Sequence, residues 1–459
     1  MGESVAIFRW VCAQSSCSRS GRLVSAARFA QAQVKSGQLE RPAGTSGPAA
    51  SAVDLKAPDS KPPGRSDNGA VDSPGDDGQE GSRPVQSPTP EPDHDKTQKA
   101  ESDRRKGEWV IAPIPVNSPA LGAGLQWAVG YVFPLSGQDK ISPPSIAGIA
   151  GLFTSNGSRA IGMAGKLYFG EDKYRVTLAG GNASINADLY GVGKLAGDRG
   201  LFLRLTAKGT GMFVESLFQV RKGVYLGGRF QYRNLRLSID RKNANPPADI
   251  EINPPPEIAD IVDAIREDLF RQQTVAIAPR FQFDSRNNTF YPTRGVFVDA
   301  GIDLFTKALR SKFTYQYYKA AFNKYTSLSE HQVLAFRAMG CAAAGSRVPV
   351  YDLCLFGFQN DVRGYAAGRY QDRRMFATQV EYRLAIPKTG FLGRFGAVAF
   401  GGVGGVGRKF TDISVSEMLP GGGGGIRFRL TKKNPINFRI DYGIGKAGGT
   451  LIIGVGEAF

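Results

Sequence analysis

Beyond Glu108 the chain alternates apolar and polar residues with a period of two, the pattern of strands whose two faces meet different surroundings. Val275, Ile277, Phe281 and Phe283 share one face while Arg280, Gln282 and Asp284 share the other. The period recurs in Val296, Val298 and Ile302 against Asp299 and Asp303, and in Val380, Tyr382 and Leu384 against Gln379, Glu381 and Arg383. It returns in Ile426, Phe428 and Leu430 against Arg427 and Arg429, and in Ile436, Phe438, Ile440 and Tyr442 against Asn437, Arg439 and Asp441. Read back from the end, strands are predicted near 449–459, 434–445, 421–431, 393–406, 374–386, 329–340, 311–324, 294–306 and 272–286. The series continues near 222–241, 200–220, 173–190, 159–170, 144–155 and 121–134, with a short proline-bearing strand at 108–116. That makes about sixteen, an even number as bacterial barrels require.

A period of two does not by itself separate a lipid-facing barrel from a soluble sandwich, whose apolar faces point inward. Charged residues recur in mid-strand through many strands, which suits a water-filled lumen better than a sandwich. The connections also sort by side. Those at 191–199, 242–271, 341–373 and 407–420 are mostly long and fall on one side, whereas 221–223, 287–293, 325–328, 387–392 and 432–433 are short and fall on the other. Short turns at one rim and long loops at the other are a property of transmembrane barrels. No run reaches the ~18 consecutive apolar residues of a spanning helix. A crossing must therefore be made by a closed barrel, where strands satisfy one another's backbone groups in lipid. The predicted fold class is all-β: an antiparallel transmembrane β-barrel over residues 108–459, preceded by a disordered N-terminal segment.

Residues 33–107 are rich in Pro, Gly, Ser, Asp and Lys and poor in aromatics, so they bury too little apolar surface to offset the entropy of ordering and are expected to be disordered. Residues 1–32 are expected to be a signal peptide, with Ala30-Gln31-Ala32 as the small-residue cleavage site. Arg9, Arg19, Arg22 and Arg28 break its apolar core, so either the signal is atypical or the sequence starts upstream of the true beginning. In the loop 242–271, Pro256 precedes Ile258, Ile261, Val262, Ile265, Leu269 and Phe270 at helical spacing. Such a helix suits either the barrel rim and lipid surface or the packing of loops.

Composition refines this reading. A net charge of +17 would suit a nucleic-acid partner, but the basic residues are spread along the alternating segments, so none is expected. The 58 glycines and 10% aromatic residues fit a membrane barrel better than a soluble enzyme. Gly402-Val403-Gly404-Gly405-Val406-Gly407 fits a dinucleotide fingerprint in letters only, since no helix follows it. The two histidines, His94 and His331, lie outside any serine or metal motif, and His331 is read as a strand residue. No enzyme activity, metal or cofactor is expected. Cys12 and Cys17 match neither a CxxC nor a lipoprotein site; Cys341 and Cys354 flank a downstream loop and are either a disulfide or two thiols.

The most specific segment is Gly357-Phe358-Gln359-Asn360-Asp361-Val362-Arg363-Gly364-Tyr365, in the long loop before the strand at 374–386. A second is Asp284-Ser285-Arg286-Asn287-Asn288-Thr289-Phe290-Tyr291-Pro292-Thr293-Arg294-Gly295. These resemble the Val-Arg-Gly-Phe/Tyr signature and the Asp-x-Arg…Tyr-Pro-x-x-Gly turn of the BamA/TamA (bacterial surface antigen) family. Gln379-Val380-Glu381-Tyr382-Arg383 and Phe438-Arg439-Ile440-Asp441-Tyr442 agree further, and the likeness covers about residues 108–459.

The resemblance implies that Val362, Arg363, Gly364 and Tyr365 form a plug folded back into the lumen, with Arg363 against inner-wall carboxylates. Glu381 and Asp441 are the inward carboxylates chosen as its partners, since removing one side of a buried pair costs about 3 to 5 kcal/mol. Arg363 either gates the lumen or only holds the plug. Asp284, Arg286, Tyr291, Pro292 and Gly295 would form a periplasmic turn. The last strand, with Leu451, Ile453, Val455 and Phe459 on one face, resembles an insertion signal that Glu457 interrupts. Phe358 and Gly402 depart from the family pattern, and no periplasmic repeats are legible in residues 1–107. Pro113 and Pro115 donate no ladder hydrogen bond, so the seam between first and last strands should be weak; family barrels are thought to open there. The expected function is that of a bacterial outer-membrane barrel, surrounded by lipid, that aids insertion or passage of unfolded polypeptides with a periplasmic or inner-membrane partner. The alternative is a surface-antigen barrel or plugged pore without clients.

Overall fold

The structure is a computed structural model that describes residues 107–118, 122–199, 202–239, 271–357, 361–366, 368–387, 390–431, 433–446 and 448–459. The expected signal peptide, the segment 33–106 and the helix expected after Pro256 lie outside the described residues.

Sixteen antiparallel strands form one nearly closed barrel, each hydrogen-bonded to its neighbour in chain order. Its first half holds β1 (Glu108–Ser118), β2 (Gly122–Phe133), β3 (Ser145–Thr154), β4 (Arg159–Phe169), β5 (Tyr174–Tyr190), β6 (Phe202–Arg221), β7 (Val224–Ile239) and β8 (Arg271–Asp284). The second half holds β9 (Gly295–Phe305), β10 (Tyr315–Ser329), β11 (Gln332–Ala344), β14 (Arg374–Ala385), β15 (Phe395–Gly407), β16 (Leu419–Arg429), β17 (Asn437–Gly445) and β18 (Gly448–Val455). Between β11 and β14, β12 (Cys354–Phe356) and β13 (Tyr370–Asp372) form a separate two-stranded ribbon. A short helix, α1 (Lys194–Arg199), lies between β5 and β6.

The alternation predicted from sequence is the inside–outside alternation of this wall. On β6, Met212, Val214 and Phe218 are exposed outward, while Phe213, Glu215 and Leu217 are buried inward. On β14, Val380 and Leu384 face out and Gln379, Glu381 and Arg383 are buried. Buried charges are inside because lipid offers them no partner, and inside they pair. Glu215 takes Arg229 at 2.6 Å and Arg280 at 2.9 Å, and Arg280 reaches Asp299 at 2.6 Å. Aromatic side chains ring the rim that carries the short turns, where Tyr131 stacks on Phe133 and Phe169 on Tyr174, as interfacial girdles do.

Strand β10 runs to Ser329, so the turn is at Glu330 and His331, not 325–328, and His331 is an exposed turn residue, not a strand residue. Cys341 lies within β11 and does not flank the loop. Strand β17 starts at Asn437; Ile436 is fully buried against Val110, Val132 and Phe290 under the rim, because the turn carries it off the lipid face. Strand β18 ends at Val455, and the residues after it turn inward, drawn by ionic and ring contacts. Glu457 meets Arg427 at 2.8 Å and Phe459 lies within 6 Å of the Arg337 and Arg383 guanidiniums, so Phe459 does not share the outward face of Leu451. Gly402–Gly407 is plain strand within β15.

Val214→Arg, at mid-height on the lipid face, should destabilise the barrel by about 2 to 4 kcal/mol, and Val220→Arg near the rim by about 0 to 1 kcal/mol. Urea titration of folding in liposomes measures both, and equal losses would contradict the placement of the membrane.

Candidate functional site: a plug seated on the inner wall

The connection from β11 to β14 folds into the lumen and is held there from several sides. At its centre Arg363 is fully buried. Its Nη2 donates to Glu381 Oε2 at 2.5 Å and its Nη1 to Asp441 Oδ2 at 2.8 Å. The backbone N and Nε of Arg363 both donate to Gln379 Oε1, at 3.3 and 3.2 Å. The guanidinium also lies 3.5 Å from the centre of the Phe400 ring. These partners come from β14, β15 and β17, whose inward positions the period of two sets in register: Glu381 faces Phe400, and Gln379 faces Gly402. The departure at Gly402 thus sits beside a glutamine that supplies an acceptor.

The two acids belong to a larger cluster. Glu381 also accepts from Arg383 Nε at 2.7 Å, and Asp441 from Arg427 Nη1 at 2.5 Å. Arg439 reaches Asp441 at 3.4 Å. Arg427 and Arg439 stand directly opposite each other on β16 and β17, a like-charge pair that would repel without Asp441 between them. The structure adds Arg383, Arg427, Arg439, Gln379 and Phe400 to the site residues expected from sequence. Gln379, Arg383 and Arg439 sit in the two segments that resemble the family, and the inward phase of Arg427 against Ile426 and Phe428 is the signal for the fourth; Phe400 carries none.

A bare wall makes room for the plug. Strand β16 carries five consecutive glycines, and β17 adds Gly443 and Gly445. A Cβ on Gly443 would stand 2.7 Å from the amide nitrogen of Gly364 and 2.9 Å from the carbonyl carbon of Arg363. Gly364 itself has φ of 117°, which favours glycine, and its own Cβ would meet the Ile444 carbonyl at 2.6 Å. Backbone therefore packs on backbone. Tyr365 is buried beside Phe356 and Tyr370, and its hydroxyl donates to the Pro420 carbonyl at 2.5 Å.

The same connection is tied elsewhere. Cys354 on β12 is disulfide-bonded to Cys341 on β11, with Cα atoms 5.8 Å apart; closing a loop of this length contributes about 3 kcal/mol on a chain-entropy account. Asp352 accepts from Arg233 of β7, Nη1 at 2.7 Å and Nη2 at 2.5 Å, and from the hydroxyl of Tyr315 on β10. At the long-loop rim, Tyr370 donates to Asp198 of α1 at 2.9 Å, and Gln371 to the Tyr190 carbonyl at 2.6 Å. Burial alone would raise the Asp198 pKa, but hydrogen bonds from Lys194, Lys446 and Tyr370 outweigh it and hold the carboxyl below its usual range.

The turn motif lies at the opposite rim, between β8 and β9. Asp284 accepts from Arg286 Nε at 2.8 Å and from Arg175 Nη1 at 2.8 Å. Gly295 has φ of 107°. Pro292 offers its carbonyl to Arg383 Nη1 at 3.4 Å, and Tyr291 lies 5.8 Å from the same guanidinium. Arg383 therefore joins the two motifs: one end reaches Glu381 of the plug site, the other the Tyr-Pro turn.

Glu381→Ala removes the acceptor that Arg363, Arg383 and, at 3.6 Å, Arg427 share, and should cost about 3 to 5 kcal/mol in unfolding free energy. Arg363→Ala should raise single-channel conductance by releasing the plug. Wild-type stability in the first variant and wild-type conductance in the second would contradict the seat.

Residues 165–450 match the model of the Omp85 superfamily domain. Comparison with curated protein sequences gives no match. Among solved structures, the chain is similar to BamA from Haemophilus ducreyi lacking POTRA domains 1-3, at 16% identity and TM-score 0.46 over 76% of this chain and 69% of that one. It is similar to CdiB from Acinetobacter baumannii at 12% identity and TM-score 0.49, over 76% and 59%. CdiB from Escherichia coli matches at 9% identity and TM-score 0.50, over 76% and 61%, a likeness of fold alone. This chain spans about three fifths of the CdiB chains it matches. The family match takes in well over half of the chain and agrees with the resemblance read from the Val-Arg-Gly-Tyr and Tyr-Pro segments: the protein belongs to the Omp85 superfamily.

Proposed function

We propose that this barrel acts in the bacterial outer membrane to aid insertion or passage of unfolded polypeptides, working with a periplasmic or inner-membrane partner. The observation that carries this reading is the incomplete closure of the wall. Strands β1 and β18 are neighbours, yet among the described residues no ladder joins them, while every other adjacent pair is laddered. In hydrocarbon an unladdered edge is costly, and a strand from another chain satisfies it by β-augmentation. Pro113 and Pro115, two residues apart on β1, remove donors from the same side of that strand. Membership of the Omp85 superfamily is shown, and the function is a proposal that rests on the open seam.

The plug supports a second reading, that of a sealed surface barrel without clients. A disulfide, the Arg363 cluster and the Asp352 anchor all keep the lumen filled. The two readings part in a reconstituted system. Liposomes holding the full chain should speed insertion of a urea-unfolded outer-membrane protein relative to empty liposomes, and affinity purification from native membrane should bring down a periplasmic or inner-membrane partner. An unchanged insertion rate with recovery of the barrel alone would favour the sealed barrel.

A further inference from the structure

The outer face of β4 to β8 carries charges that the plug and the seam do not use. Arg159, Ser184, Lys208 and Arg236 occupy one register row across β4, β5, β6 and β7, and Arg271 is the next position of that row on β8. Arg159, Lys208 and Arg236 are exposed. Outward phase follows from the strands themselves: Lys208 shares parity with Met212, Val214 and Phe218, and Arg236 with Leu226 and Phe230, all of them on the lipid face.

Lys208 and Arg236 are direct cross-strand partners. Like charges so placed repel. Inside the barrel the corresponding pair, Arg427 and Arg439, is bridged by Asp441. Outside, nothing does this: neither Lys208 nor Arg236 has an ion pair or side-chain hydrogen bond among the described residues. The flanking rows, Asn182–Thr210–Asn234 below and Asn186–Thr206–Ser238 above, contain no acid. They are engaged with themselves, as in Asn182 Nδ2 donating to Thr210 Oγ1 at 3.0 Å.

Height identifies the missing anion. From Phe218, at the aromatic rim with Tyr174, to Lys208 is about 33 Å along the strand, or about 25 Å along the membrane normal at a tilt of about 40°. That equals the apolar band of an outer-membrane barrel, so the cations stand where hydrocarbon gives way to headgroups on the long-loop side. We propose that Lys208 and Arg236, flanked by Arg159, form a lipid-facing ledge that binds the phosphate groups of outer-leaflet lipid headgroups. The inference rests on the reading that the barrel spans the outer membrane with its long loops outward.

The test uses the full chain folded in phosphatidylcholine bilayers and then titrated in detergent with lipid A or its dephosphorylated form, with bound lipid counted by native mass spectrometry. Wild type should prefer the phosphorylated lipid, and the double variant Lys208→Gln/Arg236→Gln should bind it about 10- to 30-fold more weakly. The charge-keeping exchange Lys208→Arg/Arg236→Lys and the opposite-rim control Lys222→Gln should bind as wild type does. Equal binding of both lipids, an unchanged double variant, or equal displacement by inorganic phosphate, which would mark a general anion site, would each overturn the ledge. Heat-modifiable migration in gels, read on the same samples, separates the two claims. A wild-type chain that never folds in the bilayer contradicts the membrane reading and the ledge with it, whereas a folded chain without phosphate preference contradicts the ledge alone.

Discussion

A backbone amide in hydrocarbon has no partner except another strand, and most of this structure follows from that constraint. It drives the strands to pair until the wall nearly closes, and it makes the unladdered edges of β1 and β18 costly in hydrocarbon. The same hydrocarbon offers charged side chains no partner, so Glu215, Arg280, Glu381 and Arg383 face inward. Once inside, guanidiniums and carboxylates must meet one another, and the result is a set of separate ion-pair clusters, one around Arg175 and Asp284 at the short-turn rim and another around Arg363, Glu381 and Asp441 at the plug.

The plug is an answer to a second problem, that of filling a lumen whose walls are polar. Its seat is made by omission: glycines on β16 and β17 remove side chains so that Arg363 and Gly364 can rest on strand backbone. Arginine suits the position because one planar fork reaches acids on two strands at once and still lies flat on Phe400. Its partner Glu381 is shared with Arg383, which in turn touches the Tyr-Pro turn. A change at the turn therefore has a short physical route to the plug, through one side chain.

The sheet was legible in the sequence because its two sides meet opposite solvents, so a period of two carried both the strand positions and the inward phase of Glu381 and Asp441. Ends were less legible. Ile436 and Phe459 are apolar and in phase with lipid-facing neighbours, yet turns carry them inward, and hydropathy does not record where a strand stops. The ribbon β12–β13 is too short for any period to show, and its stability comes from the disulfide and from Phe356, Tyr365 and Tyr370 packing together. Arg233 and Asp352 lie 119 residues apart, and no local pattern joins them. The glycines read as barrel composition, and their role as a seat emerges only when the plug lies on them.

The β11–β14 connection is a folded plug fixed to the inner wall and not a loose loop resting in a pore. Hydrogen exchange of the intact chain in lipid bilayers tests it most directly. The account predicts that amides of Cys354–Phe356, 361–366 and Tyr370–Asp372 are protected to the same degree as those of β14. Exchange of these segments at the rate of an open loop, while β14 stays protected, would contradict it.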